Sequence, residues 1–177
     1  MRFERHRLFA VFAYDAPAGT QSFSGGQSWA TAYTTKHRGQ LTGAAMRIFA
    51  TRSVTAGYSG SITVNLYKGA NANDTTSTLL ATATVDQSVF PKAGAAPPPF
   101  TVIMFASPGA DLPAGTPVWI EFVSKTVNMA FTFSSTSTPP SSAPELTTWY
   151  SRSGAPGAFF ADTTVFASFE SLMSGCF

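Results

Sequence analysis

At 177 residues, with 44% hydrophobic but only 11% charged side chains, the chain can bury one substantial core without staples and must stay in water through Ser, Thr, Asn and Gly rather than through charge. A net charge of +2 with scattered basic residues excludes the basic stripe of a nucleic-acid binder. The lone Cys176 excludes an intrachain disulfide framework and a multi-cysteine zinc site, and no run reaches the ~18 apolar residues of a membrane helix.

Residues 1–14 are expected to form an N-terminal arm or first strand, set apart from one β-sandwich domain over residues 15–177. The opening Met1-Arg2-Phe3-Glu4-Arg5-His6-Arg7, followed by a short apolar run from Leu8 to Tyr14, imitates a secretory signal. Glu4 and His6 interrupt its basic part, so the stretch is expected to belong to the folded protein. A segment this apolar either pairs on the domain's own sheet or docks on a neighbouring subunit. The second alternative makes Arg2, Phe3, Arg5, Arg7, Leu8 and Phe9 the candidate partner-binding residues.

A turn-rich stretch follows, with a short strand expected around Gln21-Ser22-Phe23. Residues 28–35 and 40–53 then read as strands on either side of a charged turn, Lys36-His37-Arg38-Gly39, with Leu41, Ala44, Met46 and Ile48 inward. Residues 61–67 carry the cleanest pattern. Ile62, Val64 and Leu66 alternate with Ser61, Thr63, Asn65 and Tyr67 between Gly60 and Gly69, the period of two of a half-buried strand. Residues 78–85 are strand rather than helix on their threonines and Val85. Three consecutive prolines make residues 91–99 a surface loop. Residues 100–105 resume the sheet, 107–115 form a turn, and 116–124 repeat the alternation, with Val118, Ile120 and Phe122 on one face and Trp119 and Glu121 on the other. Residues 127–133 are expected to form a hairpin with that strand. Residues 134–144 are a Ser, Thr and Pro loop, and two last strands are expected at 146–150 and 163–169. The whole predicts an antiparallel two-sheet β-sandwich, jelly-roll-like, of about eight to ten strands without helix.

Hydrolytic chemistry finds little to use. Most of the nine carboxylates sit in turns, where Asp is chosen for local hydrogen bonds, and nothing pairs Glu121 with a second acid at a glycosidase spacing. His6 lies in the arm and His37 in a charged turn, neither held by an acid. Asn71-Ala72-Asn73-Asp74-Thr75 presents oxygens as calcium would require, but with one carboxylate it reads as an Asx-rich turn. Aromatic residues are the richer signal. Trp29, Tyr58, Trp119 and Trp149 are candidates to stack on sugar rings if they gather on an exposed face, and are otherwise core.

Gln21-Ser22-Phe23, the strand Ser61 to Tyr67, Leu80-Ala81-Thr82-Ala83, and Leu112-Pro113-Ala114-Gly115-Thr116-Pro117-Val118-Trp119-Ile120 together resemble the jelly-roll domains known as choice-of-anchor modules and similar sandwiches of tailed-phage virion proteins. Such families share a fold and a surface location rather than a catalytic motif. The resemblance implies a non-enzymatic virion component (capsid decoration, tail or fibre) without cofactor or metal, contacting other virion proteins or copies of itself as a homo-oligomer. The want of a clear signal or cell-wall anchor favours the virion over a bacterial surface. The alternative is an extracellular carbohydrate-binding adhesion module. Neither involves nucleic acid or membrane.

The alternation at 61–67 makes Val64 a core position. Val64→Asp would bury an unpaired charge at a cost comparable to the whole stability of a domain, about 5–15 kcal/mol. Expression of this variant should give insoluble or unfolded protein by circular dichroism; a soluble variant with a normal melt would mean that the two faces are reversed.

Overall fold

The computed structural model describes residues 7–14, 19–24, 27–50, 60–91, 100–106, 111–124, 130–136, 148–153, 158–162, 166–167 and 169–175. Apart from a 3-10 turn at Gln87–Val89, they form strands β1 (Arg7–Tyr14), β2 (Gly19–Ser24), β3 (Gln27–Thr34), β4 (Gly39–Ala50), β5 (Ser61–Lys68), β6 (Thr78–Asp86), β7 (Phe100–Met104), β8 (Asp111–Leu112), β9 (Pro117–Ser124), β10 (Ala130–Thr136), β11 (Thr148–Ser153), β12 (Phe160–Asp162), β13 (Phe166–Ala167) and β14 (Phe169–Gly175). The first sheet has eight strands in the order β1-β14-β4-β10-β13, with β2 on β10 and with β7 and β8 on β4. The second has six, in the order β12-β11-β3-β9-β5-β6. All pairings are antiparallel, so the fold is the all-β, two-sheet antiparallel sandwich expected from the sequence.

The core lies between the sheets. Leu41, Ala44, Met46 and Ile48 of β4, Ile103 of β7, Phe105 and Leu112 of β8 meet Tyr33 of β3, Ile62, Val64 and Leu66 of β5, Ala81 of β6, and Val118, Ile120 and Phe122 of β9. Each fully buried Leu, Ile or Phe among them contributes about 1.5–3 kcal/mol. Leu41 is out of step with Ala44, Met46 and Ile48, and the register between β4 and β14 shifts just there, between Leu172 and Met173. A bulge at that point re-phases the side chains of β4 and turns both sets inward.

The turn before β9 is locked to the end of β3. Gly115 takes φ +81°, a left-handed conformation that glycine adopts freely. Its N–H donates to the Thr35 carbonyl at 2.7 Å, while the Thr35 hydroxyl donates to the Pro113 carbonyl at 2.7 Å and accepts from the Thr116 N–H at 3.0 Å.

Several expectations are corrected. The strand expected to form a hairpin with β9 does not pair with it among the described residues. β10 pairs with β2, β4 and β13 in the first sheet, because both edges of β9 are already taken by β3 and β5. Within the expected turn at 107–115, Asp111–Leu112 forms β8 against Gln40 and Gly39. Strand β10 extends to Thr136, into the expected Ser, Thr and Pro loop. Of the two alternatives for the N-terminal segment, Arg7–Tyr14 takes the intrinsic one and pairs with β14. Arg2, Phe3 and Arg5 lie outside the described residues, as do 92–99 of the proline loop and 137–147.

Two hydroxyls on the core side of the second sheet, those of Thr31 and Ser124, are buried without a hydrogen-bond partner among the described residues. Thr31 stands opposite Ile120 in the register and is 0% exposed. Thr31→Val removes an unsatisfied hydroxyl at nearly constant shape, and urea unfolding should show a gain of about 1 kcal/mol. A loss of stability would mean that the hydroxyl is satisfied in solution.

Candidate functional site

The chemistry-bearing side chains collect on the outer face of the second sheet, where the register lines them up in rows. One row runs Leu79, Tyr67, Trp119, Ala32; the next runs Thr82, Asn65, Glu121, Ala30; the third runs Thr84, Thr63, Val123, Ser28. The first row is aromatic. Tyr67 and Trp119 stack with ring centroids 3.9 Å apart and planes 10° off parallel, and Phe159 meets Trp119 edge-on at 6.0 Å and 74°. With Ala30 and Ala32 they form a second, smaller apolar cluster outside the main core. Such ring pairs are worth about 0.5–1.5 kcal/mol beyond the area they bury.

The loop between β5 and β6 closes over this cluster and is built on its Asn and Asp side chains. Asn71 Oδ1 accepts the Asn73 N–H at 2.9 Å. Asp74 Oδ2 accepts the Ala70 N–H at 2.9 Å, and its Oδ1 accepts both the Thr76 N–H at 2.9 Å and the Thr76 hydroxyl at 2.6 Å. The Thr76 hydroxyl, with the Ala70 and Thr76 N–H groups, holds the Asp74 carboxyl below the usual carboxylate range. These bonds are those of an Asx-rich turn, the reading preferred from the sequence over a calcium loop. Asn73 also clasps the main chain of Phe159, donating from Nδ2 to its carbonyl at 2.9 Å and accepting its N–H on Oδ1 at 2.8 Å. That clasp brings Phe159 to Trp119. The indole N–H of Trp119 donates to Ser77 Oγ at 2.9 Å, so the buried ring has its polar atom satisfied.

The second row is polar. Thr82 Oγ1 donates to Asn65 Oδ1 at 2.8 Å, and Asn65 Nδ2 donates to Glu121 Oε2 at 3.3 Å. Glu121, placed on the polar face by its alternation, is nonetheless only 2% exposed. In the third row the Thr63 and Thr84 hydroxyls share a hydrogen bond at 3.2 Å.

Of the residues singled out for sugar stacking, Trp29 and Trp119 lie on opposite faces of the second sheet. Trp119 is buried and its ring is occupied by Tyr67 and Phe159, the core alternative of its two readings. Trp29, opposite Phe122 in the register, packs against the main core on the other side of the sheet. Trp149 lies in β11 opposite Thr31, and Tyr58 falls outside the described residues. Of the candidate partner-binding residues, Arg7, Leu8 and Phe9 have main chains paired with Gly175, Ser174 and Met173. His37 is exposed in its turn, where the neighbouring Arg38 binds Asp111 Oδ2 through Nη2 at 2.6 Å and Nε at 2.9 Å. Among the described residues, no three His, Cys, Asp or Glu side chains gather where they could hold a metal ion. The Asn65 network, which sequence reading did not single out, had its signal in the polar alternation of β5; only the register shows that Thr82 and Glu121 flank Asn65.

A Cβ at Gly69 would overlap Ser77 Oγ and stand 3.2 Å from Asp74 Oδ2. Gly69→Ala should displace Ser77 and orphan the Trp119 indole, at a cost of about 1–3 kcal/mol. Chemical denaturation should show this loss together with a shift in tryptophan emission, and Ser77→Ala should reproduce it. Wild-type stability in both variants would mean that the indole finds another acceptor.

No family model matches the chain, and no curated protein shows significant similarity to its sequence.

Proposed function

We propose that the chain is a non-enzymatic structural component of a bacteriophage virion, of the capsid-decoration, tail or fibre kind, built on a jelly-roll-like sandwich and acting through contacts with copies of itself or other virion proteins. The observation that carries this reading is an apolar margin on which β7 has neither charge nor bulge, whereas β6 is bulged at Leu80 and ends in Asp86. β7 pairs only with β4, and β6 only with β5, among the described residues. Val102 and Met104 of β7 are 50% and 47% exposed, and Leu79 and Val89 on the β6 side are 52% and 53% exposed.

A strand edge offers unpaired N–H and C=O groups, and proteins that remain alone usually blunt such edges with charge, proline or a bulge. β7, Phe-Thr-Val-Ile-Met, carries no charge, and its register with β4 is unbroken. The 11% charged composition accords with surfaces that become interface, since interface cores are depleted of charge. The segments on which the virion resemblance rests fall on β2, β5, β6 and the β8–β9 unit, all of them framework elements. A virion location and homo-oligomeric assembly belong to the same proposal.

Light scattering of the full-length protein over a range of concentrations tests it. A trimer or larger assembly is expected, dissociated by the double substitution Val102→Lys, Met104→Lys with little change in the melt, because both side chains face outward. A protein that stays monomeric at every concentration, or an assembly that the double substitution leaves intact, would remove the support that this margin gives.

A further inference from the structure

We propose that the outer face of β5 and β6 binds a neutral oligosaccharide, with Asn65 and Thr82 as its hydrogen-bonding centre and Tyr67 as its wall. The proposal goes beyond the assembly reading and does not depend on it. Its starting point is the direction of each hydrogen bond in the Thr82, Asn65, Glu121 row. Asn65 Nδ2 donates one proton to Glu121 Oε2, and Thr82 gives its hydroxyl proton to Asn65 Oδ1. The second Asn65 N–H therefore has no partner among the described residues, and the exposed Thr82 oxygen presents only lone pairs. In the neighbouring row the Thr63 and Thr84 hydroxyls share one hydrogen bond; Thr63 is 5% exposed, so exposed Thr84 presents its hydroxyl proton when Thr63 donates and its lone pairs when it donates itself. The face thus offers donors and an acceptor side by side, about 5 Å apart across strands and about 7 Å apart along them.

That pattern selects its ligand class. A sugar hydroxyl both donates and accepts and can use every one of these groups. An anion would need donors alone and would approach the Glu121 and Asp86 carboxylates, with no basic side chain placed on this face by β3, β5, β6 or β9 and with Arg152 of β11, at the register position opposite Ser28, three strands away from Thr63. A cation would need more than one reachable carboxylate: Glu121 is 2% exposed, which leaves Asp86, exposed opposite Ser61 at the end of β6 and already accepting the Ser88 N–H at 2.8 Å. Glu121 is a positioning residue: buried, it fixes which way the Asn65 amide points. Tyr67 is half-buried and held upright by its stack on Trp119. It closes one end of the polar rows with an aromatic edge, against which the apolar side of a sugar ring can rest. The amide and the ring are both held by buried neighbours before any ligand arrives, which lowers the ordering cost of binding.

The test uses the full-length protein and neutral trisaccharides of glucose, mannose, galactose and N-acetylglucosamine, screened by saturation-transfer NMR and titrated by calorimetry. At least one trisaccharide should bind in the millimolar range or tighter. Asn65→Ala and Thr82→Val should each weaken it about tenfold, the worth of one net hydrogen bond. Thr82 is exposed, so its variant should keep the wild-type melt and remain informative even if Asn65→Ala disturbs Glu121. No binding of any of the four sugars would overturn the proposal. So would binding that Thr82→Val leaves unchanged.

Discussion

The constraint on which the structure depends is that β9 is enclosed on all four sides. Its edges are filled by β3 and β5. One of its faces sends Val118, Ile120 and Phe122 into the main core, and the other sends Trp119 into a second cluster. Antiparallel sheets commonly leave one face to water, and such strands read as a clean apolar and polar alternation. β9 reads that way, yet Glu121 and Trp119 are as buried as their neighbours. Burying a polar face requires that each polar atom on it be met. The loop after β5 supplies what Trp119 needs in Ser77, and Asn65 gives Glu121 a donor.

This accounts for the amount of side-chain hydrogen bonding spent on one short loop. Asn71, Asp74 and Thr76 bond to their own turn, which holds the turn in a single shape. Asn73 is then free to clasp the Phe159 main chain from 86 positions away in sequence. A long-range contact of this kind costs loop-closure entropy. It is offset here by the apolar contact of Phe159 with Trp119 and by the satisfaction of a backbone N–H and C=O that lie partly buried.

The legibility of the fold follows the same physics. The strands read correctly from sequence are β4, β5 and β9 above all, because each sends large apolar side chains to the main core and carries polar or small residues, Trp119 excepted, on its other face, which writes a period of two even where that face is also buried. The bulges that re-phase β4 near Leu41 and β6 near Leu79 left no local signal, since their cause is the register of the partner strand. β8, β12 and β13 span two or three residues each, too few for periodicity to mark. The expected hairpin after β9 failed because proximity in sequence favours pairing only where an edge is free, and no local pattern reports that β9 has none. The polar site was hidden for the same reason. Asn65 was visible as an outward residue of β5, but its partners come from β6 and β9, and cross-strand neighbours are a property of register.

Edges and faces of the sandwich also carry different kinds of interaction, and this makes the two proposed surfaces compatible. Partners that add to a strand edge extend a sheet in its own plane. Contacts along β7, which belongs to the first sheet, leave the rows of Thr82, Asn65 and Thr84 on the second sheet uncovered. In an assembly of copies the same face recurs at fixed spacing. A single hydrogen-bonding patch of this kind binds a sugar weakly, because each bond nets only about 1 kcal/mol against water. Repetition changes that arithmetic, since once one copy is engaged the next finds its ligand at an effective concentration set by geometry rather than by solution. The uncharged β7 edge and the hydroxyl-rich face are thus a consistent combination under the two proposals: the edge would set the number of copies, and the number of copies would set how tightly the face could hold.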